Sequence, residues 1–282
     1  MSPGWSLRVG VYLVIYILAA RVLAPVLIWL AGYLAGVTWS QLASALAANW
    51  IALRIFGKRR LRDVGLAWDA AAIRNLGWGV LGGAAAAALV LVPPLALHAA
   101  RLVPVQESQA RWDIFLFTSL SLLAGAAGEE ILFRGYGFQV LLGVWGPYTT
   151  ICTVAAVFGA LHAMNPNATW LSMLNTSGFG ALFGYAFLRS RDLWLPIGLH
   201  YGWNFTLPLF GVNLSGLTMK LTGHAIEWNV SSTWSGGDYG PEGSVLTSIV
   251  LAPLAIYLWK APVRPRPSEV IPCEPGSPSP SP

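Results

Sequence analysis

The sequence predicts an all-α fold: a polytopic transmembrane helical bundle of about eight spans, followed by a disordered C-terminal tail. Three observations predict it. Of 282 residues, 55% are apolar and only 10% are charged, far below the roughly 25% charge usual in soluble domains. Mean hydropathy is +0.59. Uncharged runs also exceed the length of one helix, since Val22 to Leu53 contains no Asp, Glu, Lys or Arg. So little polar surface could not cover a soluble fold of this length, which removes the soluble classes.

A spanning helix needs about 20 mostly apolar residues. The run beginning at Val22 is too long for one, and Gly36-Val37-Thr38 marks the expected turn. Spans are expected near 9–33 (with Arg21 and Pro25), 38–55, 76–97, and from 114 through Gly128 into Glu129. Four more follow near 147–163, 169–188, 194–211 and 244–259. The apolar run after Arg8 is similar to a signal peptide, but it resumes past Arg21 without a convincing cleavage site, so a retained span is preferred.

The net charge of +5 comes mostly from Lys and Arg between apolar runs, a topology signal rather than a nucleic-acid surface. Arg54, Lys58, Arg59, Arg60 and Arg62 crowd one connection; Arg189 and Arg191 fall in another; Lys260, Arg264 and Arg266 follow the last span. Eight spans put all three on the cytoplasmic face with both termini, in what is expected to be the plasma membrane. Arg101 and Arg111 disagree, although Glu107 and Asp113 lie beside them. Cys152 sits in an apolar run and is expected to be an inert buried thiol; two cysteines make no disulfide framework. Cys273 lies too far from the end to form a prenylation box. The polar stretch 213–243, with Lys220, His224, Glu227, Asp238 and Glu242, is expected to be an external cap or a mobile loop. Neither a strand-rich domain nor an internal repeat is evident.

Ionisable groups inside a membrane cost about 2.5–3.5 kcal/mol each on insertion scales, so they default to functional readings. Three clusters qualify. In Gly128-Glu129-Glu130-Ile131-Leu132-Phe133-Arg134, Glu130 and Arg134 are four apart, which puts an ion pair on one helix face. Glu129 is aimed about 100° away, without that partner, and is a candidate base toward water. In Phe158-Gly159-Ala160-Leu161-His162, Phe158 lies one turn before His162 and could wall off a site. In His200-Tyr201-Gly202-Trp203-Asn204, His200 and Asn204 share a face and need partners. Taken singly, each cluster has a plain structural reading: an interfacial salt bridge, an interfacial histidine, interhelical glue. Together they put two carboxylates, two histidines and an amide on three helices. Meeting in one wet cavity, these groups could cut an amide bond, the carboxylate accepting a proton from water and the others binding an oxyanion or a metal.

These clusters resemble the motifs of the CPBP family of CAAX prenyl endopeptidases and bacteriocin-processing or self-immunity proteins: E-E-x-x-x-R, F-x-x-x-H, and H followed four residues later by Asn or Asp. The resemblance covers about 115–210. It implies a membrane endopeptidase acting on a membrane-associated protein or peptide, prenylated or CAAX-like substrates included. It also implies Glu129 as base, Glu130 holding the site with Arg134, His162 positioning water, and His200 and Asn204 stabilising the oxyanion.

Family members are commonly named metalloproteases, and a divalent metal such as zinc could take Glu129, His162 and His200. No His-Glu-x-x-His helix is present, and Asn204 is a poor zinc ligand, so cofactor and no cofactor both stay open, with the metal-free site preferred. The implied organisation is 1–112 for N-terminal helices and a basic loop, and 113–212 for the catalytic core. Residues 213–261 then form a loop with the last helix, and 262–282 the tail. Two other classes compete. A transporter would use the Glu and His groups for proton or cation coupling but often shows paired halves. A non-catalytic scaffold or immunity protein would not need the intact polar set.

Overall fold

The computed structural model describes residues 4–105, 111–219 and 221–266. The tail beyond 266 with Cys273, together with Glu107 and Lys220, lies outside them. Among the described residues eight helices follow in chain order: α1 (Trp5–Gly57), α2 (Ala70–Ala96), α3 (Trp112–Arg134), α4 (Tyr136–Leu161), α5 (Trp170–Ser190), α6 (Trp194–Leu209), a one-turn α7 (Ser232–Ser235) and α8 (Val245–Lys260). Two short strands, β1 (Ala100–Pro104) and β2 (His224–Trp228), pair antiparallel. Among the described residues, the helical stretches Trp5–Gly57, Ala70–Ala96 and Trp112–Met164 are long and apolar enough to cross a membrane. The chain is an integral membrane protein built as an all-α bundle.

The two expected N-terminal spans are the two arms of α1, which breaks at Gly32 (φ 79°, ψ 173°). The break falls four residues before the expected turn, for a steric reason. Only glycine takes that positive φ cheaply. Gly36 is instead the close-approach residue, where a Cβ would run into the backbone of Ile28 on the facing arm. A second break, at Gly146 (φ 73°) before Pro147, divides α4, so the span expected from 147 is its second arm. Cys152 corrects an expectation. It is exposed, because an apolar face in a bilayer can point outward to lipid.

The α2–α6 pair packs through glycine on both sides. Cβ atoms at Gly79 and Gly83 would collide with the carbonyls of Leu195 and Leu199. Cβ atoms at Gly198 and Gly202 would collide with the carbonyls of Leu76 and Val80. Small residues four apart let helix backbones touch where lipid supplies no hydrophobic drive between helices. Helix α6 is thereby fixed in depth and rotation.

A buried amide joins the first and third helices. Asn49 donates to the Ile131 carbonyl at 3.1 Å and accepts the Tyr136 amide at 2.7 Å. It bridges the α3–α4 junction, where the helical bonding is interrupted.

The three basic connections meet at one end of the bundle. Arg266 pairs with both Asp69 and Asp192, and its amide donates to the Ser190 carbonyl. Asp192 accepts the first amides of α6, from Trp194 and Leu195, at 3.1 Å and 3.3 Å. Arg8 lies over the Phe56 ring and so joins this end. The two arginines that opposed the charge rule have acidic partners: Arg101 with Glu227 at 3.0 Å and Arg111 with Asp113 at 2.5 Å.

Replacing Gly83 by Ala should lower stability by about 1–3 kcal/mol through overpacking against backbone that cannot yield. Gly77→Ala, where a Cβ would meet nothing, should stay within about 1 kcal/mol of the parent. Thermal unfolding of the two purified variants in detergent compares them; equal losses would contradict the packing assignment.

Candidate functional site

The site begins with the cost of burying Arg134. Its side chain and that of Glu130 are both fully buried, 3.2 Å apart, one helical turn from each other on α3. A buried charge needs a partner and further hydrogen bonds to be tolerated. Arg134 also donates to the Gly180 carbonyl of α5 at 2.7 Å, and its guanidinium lies over Phe133, Phe158 and Phe183, 5.0–5.7 Å from the ring centroids. These ring faces add cation–π attraction in a water-poor surrounding.

Glu130 then reaches α6. Its carboxylate Oε1 lies 2.9 Å from His200 Nδ1. A carboxylate accepts, so Nδ1 carries the proton and the other ring nitrogen is aimed away. That nitrogen, Nε2, lies 3.9 Å from Glu129 Oε2. Phe183 stacks on the His200 ring at 4.9 Å with 16° between planes, which locks the ring's rotation. Glu129 Oε2 is buried and makes no hydrogen bond.

His162 ends α4, its Nδ1 2.8 Å from the Phe158 carbonyl. A carbonyl only accepts, so this nitrogen donates and Nε2 is left free of that bond. Phe158 packs 4.7 Å from the His162 ring and 5.0 Å from Phe133.

A cavity of about 380 Å³ collects these groups. Glu129, Phe158, His162, His200 and Asn204 all line it. Glu130 and Arg134 stand behind the lining. Both α1 and α5 contribute wall residues, among them Tyr33, Gln41 and Phe179. No trio of His, Cys, Asp or Glu is spaced to hold a metal ion among the described residues. The conditional ligand set Glu129, His162 and His200 is therefore not gathered as a metal site: Glu129 Oε2 comes within 3.9 Å of His200 Nε2, but the three side chains form no group with ligand spacing.

The described residues of 213–243 fold over the cavity as a cap, with Leu214, Ser215, Leu217 and Met219 in the lining. With them comes an acid whose role the sequence does not single out. Glu242, 7% exposed, also lines the cavity. Its Oε2 accepts the Ser215 amide at 2.5 Å and the Ser215 hydroxyl at 2.8 Å, and its Oε1 accepts Trp203 Nε1 at 3.2 Å. Burial pushes its carboxyl above the usual range, while Ser215, His162 and Trp203 oppose that shift. Its position among Gly, Pro and Ser carries no periodic signal for burial.

Fold and site together define a polytopic membrane protein whose helices carry carboxylates, histidines and an amide to one half-open cavity. Residues 111–206, which contain every motif from Glu129 to Asn204, match the family model described as Type II CAAX prenyl endopeptidase Rce1-like. Over this segment the chain is similar to the CPBP family of CAAX proteases. No curated protein matches the chain significantly.

Removing one member of the buried pair leaves the other charge without compensation. Glu130→Gln and Arg134→Met should each cost roughly 3–5 kcal/mol. The double change to an apolar pair should cost less than the sum, and a double-mutant cycle on thermal unfolding measures the difference.

Proposed function

We propose that this protein is a membrane endopeptidase that hydrolyses a peptide bond in a membrane-associated protein or peptide, with water activated by Glu129. The observation that carries the proposal is the bare Glu129 oxygen. It is a buried carboxylate atom that makes no hydrogen bond, on the lining of a cavity shared with two histidines and an amide. A buried acceptor left unpaired costs about 1–3 kcal/mol or more, and such a cost is recovered where the group works on a ligand.

In this mechanism Glu129 takes a proton from water as the oxygen attacks the carbonyl carbon. His162 orients the water through the lone pair on Nε2. The negative charge forming on the carbonyl oxygen is met by Asn204 and by His200, which carries a proton on each ring nitrogen in this step. Glu130 holds one of those protons and so fixes the ring; it positions rather than touches substrate. The C–N bond then breaks, and the proton held by Glu129 passes to the departing amine. No step uses a metal.

The proposal also orients the chain. The end where the basic connections gather faces the cytoplasm, with both termini, and the cap faces the other side of the cell membrane.

Glu129→Gln keeps the shape and removes the base. It should lower kcat for cleavage of a membrane-anchored peptide by about 10²–10⁴-fold, with folding unchanged by thermal unfolding. Asn204→Ala should lower kcat by about 10²–10³-fold. Unaltered turnover in Glu129→Gln would remove the base assignment, and ion flux in proteoliposomes abolished by that change would favour transport instead.

A further inference from the structure

The first arm of α1 carries a charge on its outer face. Val14, Leu18, Val22 and Trp29 are exposed along that face, and Arg21 is exposed among them. No ion pair or hydrogen bond reaches its guanidinium among the described residues.

Arg21 stands sixteen residues after Trp5 and eight before Trp29, which is about 24 Å and about 12 Å along the helix at 1.5 Å per residue. Trp5 packs on Trp145 at one end of the arm, and Trp29 and Tyr33 are exposed at the other. Such tryptophans and tyrosines mark the two interfaces of a bilayer. The two arms of α1 run antiparallel, with Ile28 against Gly36 and Tyr12 bonded to Asn49, so Arg21 stands near the level of Leu42. A Cβ at Gly128 would meet the Leu42 backbone, and Arg21 is therefore close to the depth of Glu129, inside the hydrocarbon.

A second polar group lies on the same turn. Pro25 is inside α1 and has no N–H, so the Arg21 carbonyl lacks the donor that a helix supplies four residues on. A cation and a bare acceptor thus face lipid together, where neither finds water.

Three partners compete for this face. Lipid phosphate is reached by snorkelling from positions near helix ends, and Arg21 is near neither end. A second copy of the chain offers no acid, since the carboxylates at this depth among the described residues are Glu129 and Glu130, which Arg134 and His200 hold inside the bundle. A foreign helix with a carboxylate answers the cation bidentately, and a hydroxyl or amide beside it answers the carbonyl.

We propose that the outer face of the first arm of α1 is a docking surface for a transmembrane helix of another membrane protein, one that carries a carboxylate midway through the bilayer to pair with Arg21. The peptidase reading is not needed for this contact.

The test uses the full chain in phosphatidylcholine nanodiscs and three single-span leucine-rich peptides, with Glu, Gln or Leu at the central position. Association is read by energy transfer between labelled chain and peptide. The Glu peptide should bind roughly tenfold more tightly than the Leu peptide, with the Gln peptide between them. Arg21→Leu should bring all three to the Leu level with thermal unfolding unimpaired, and Arg21→Lys should keep part of the preference.

Equal binding of the three peptides by the parent overturns the proposal. So does a Glu preference that survives in Arg21→Leu, which places the contact elsewhere. Native mass spectrometry of the chain with added phosphatidylglycerol separates the other occupants. An anionic lipid retained by the parent and lost from Arg21→Leu, without any Glu preference, overturns the proposal and gives the arginine to lipid phosphate. A dimer lost in Arg21→Leu, again without Glu preference, overturns it in favour of a second copy.

Discussion

The Glu130 carboxylate is the point on which the site turns. It is the sole acidic partner of a fully buried Arg134 among the described residues, and it holds His200 from the neighbouring helix. A guanidinium in this position cannot exchange its partners for water, so each contact constrains a helix. Glu130 ties α3 to α6, the Gly180 carbonyl ties α3 to α5, and the Phe158 ring brings in α4. The geometry of the cavity lining follows from charges that do not face the cavity.

Glycine supplies the complementary constraint. A salt bridge fixes side chains only if the backbones bearing them hold still. The α2–α6 contact does this for His200 and Asn204, since two glycines on each helix leave no room for sliding. Polar bonds choose which helices meet; the absence of side chains sets how closely.

Much of the site is legible in the amino-acid order because carboxylates, histidines and amides are so costly in apolar helices that each demands a reason. Glu129, Glu130, Arg134, His162, His200 and Asn204 stand out on that ground alone. Their spacing by four predicts the Glu130–Arg134 pair and the shared face of His200 and Asn204. Glu242 escapes because a glutamate among Gly, Pro and Ser reads as solvated, and only long-range packing with Ser215 and Trp203 shows otherwise. Gly32 and Gly36 are alike as letters, and which one breaks α1 depends on the contact between its two arms. The exposure of Cys152 is hidden because apolar neighbours along the chain do not distinguish a protein interior from lipid. The pairs Gly79/Gly83 and Gly198/Gly202 are readable as small-residue motifs and carry a signal that hydropathy alone passes over.

The clasp formed by Glu242 has a bearing on how the molecule is made. Helices α1 to α6, with every motif residue, are complete by Leu209, yet the acid that joins the cap to Trp203 lies some thirty residues later in the chain. Arg266, which ties the basic end together, comes later still. A polypeptide emerging from the ribosome therefore presents its reactive groups before the cap that lies over them. The order of synthesis leaves the cavity without its cap until the residues around Glu242 have followed α6 out of the ribosome.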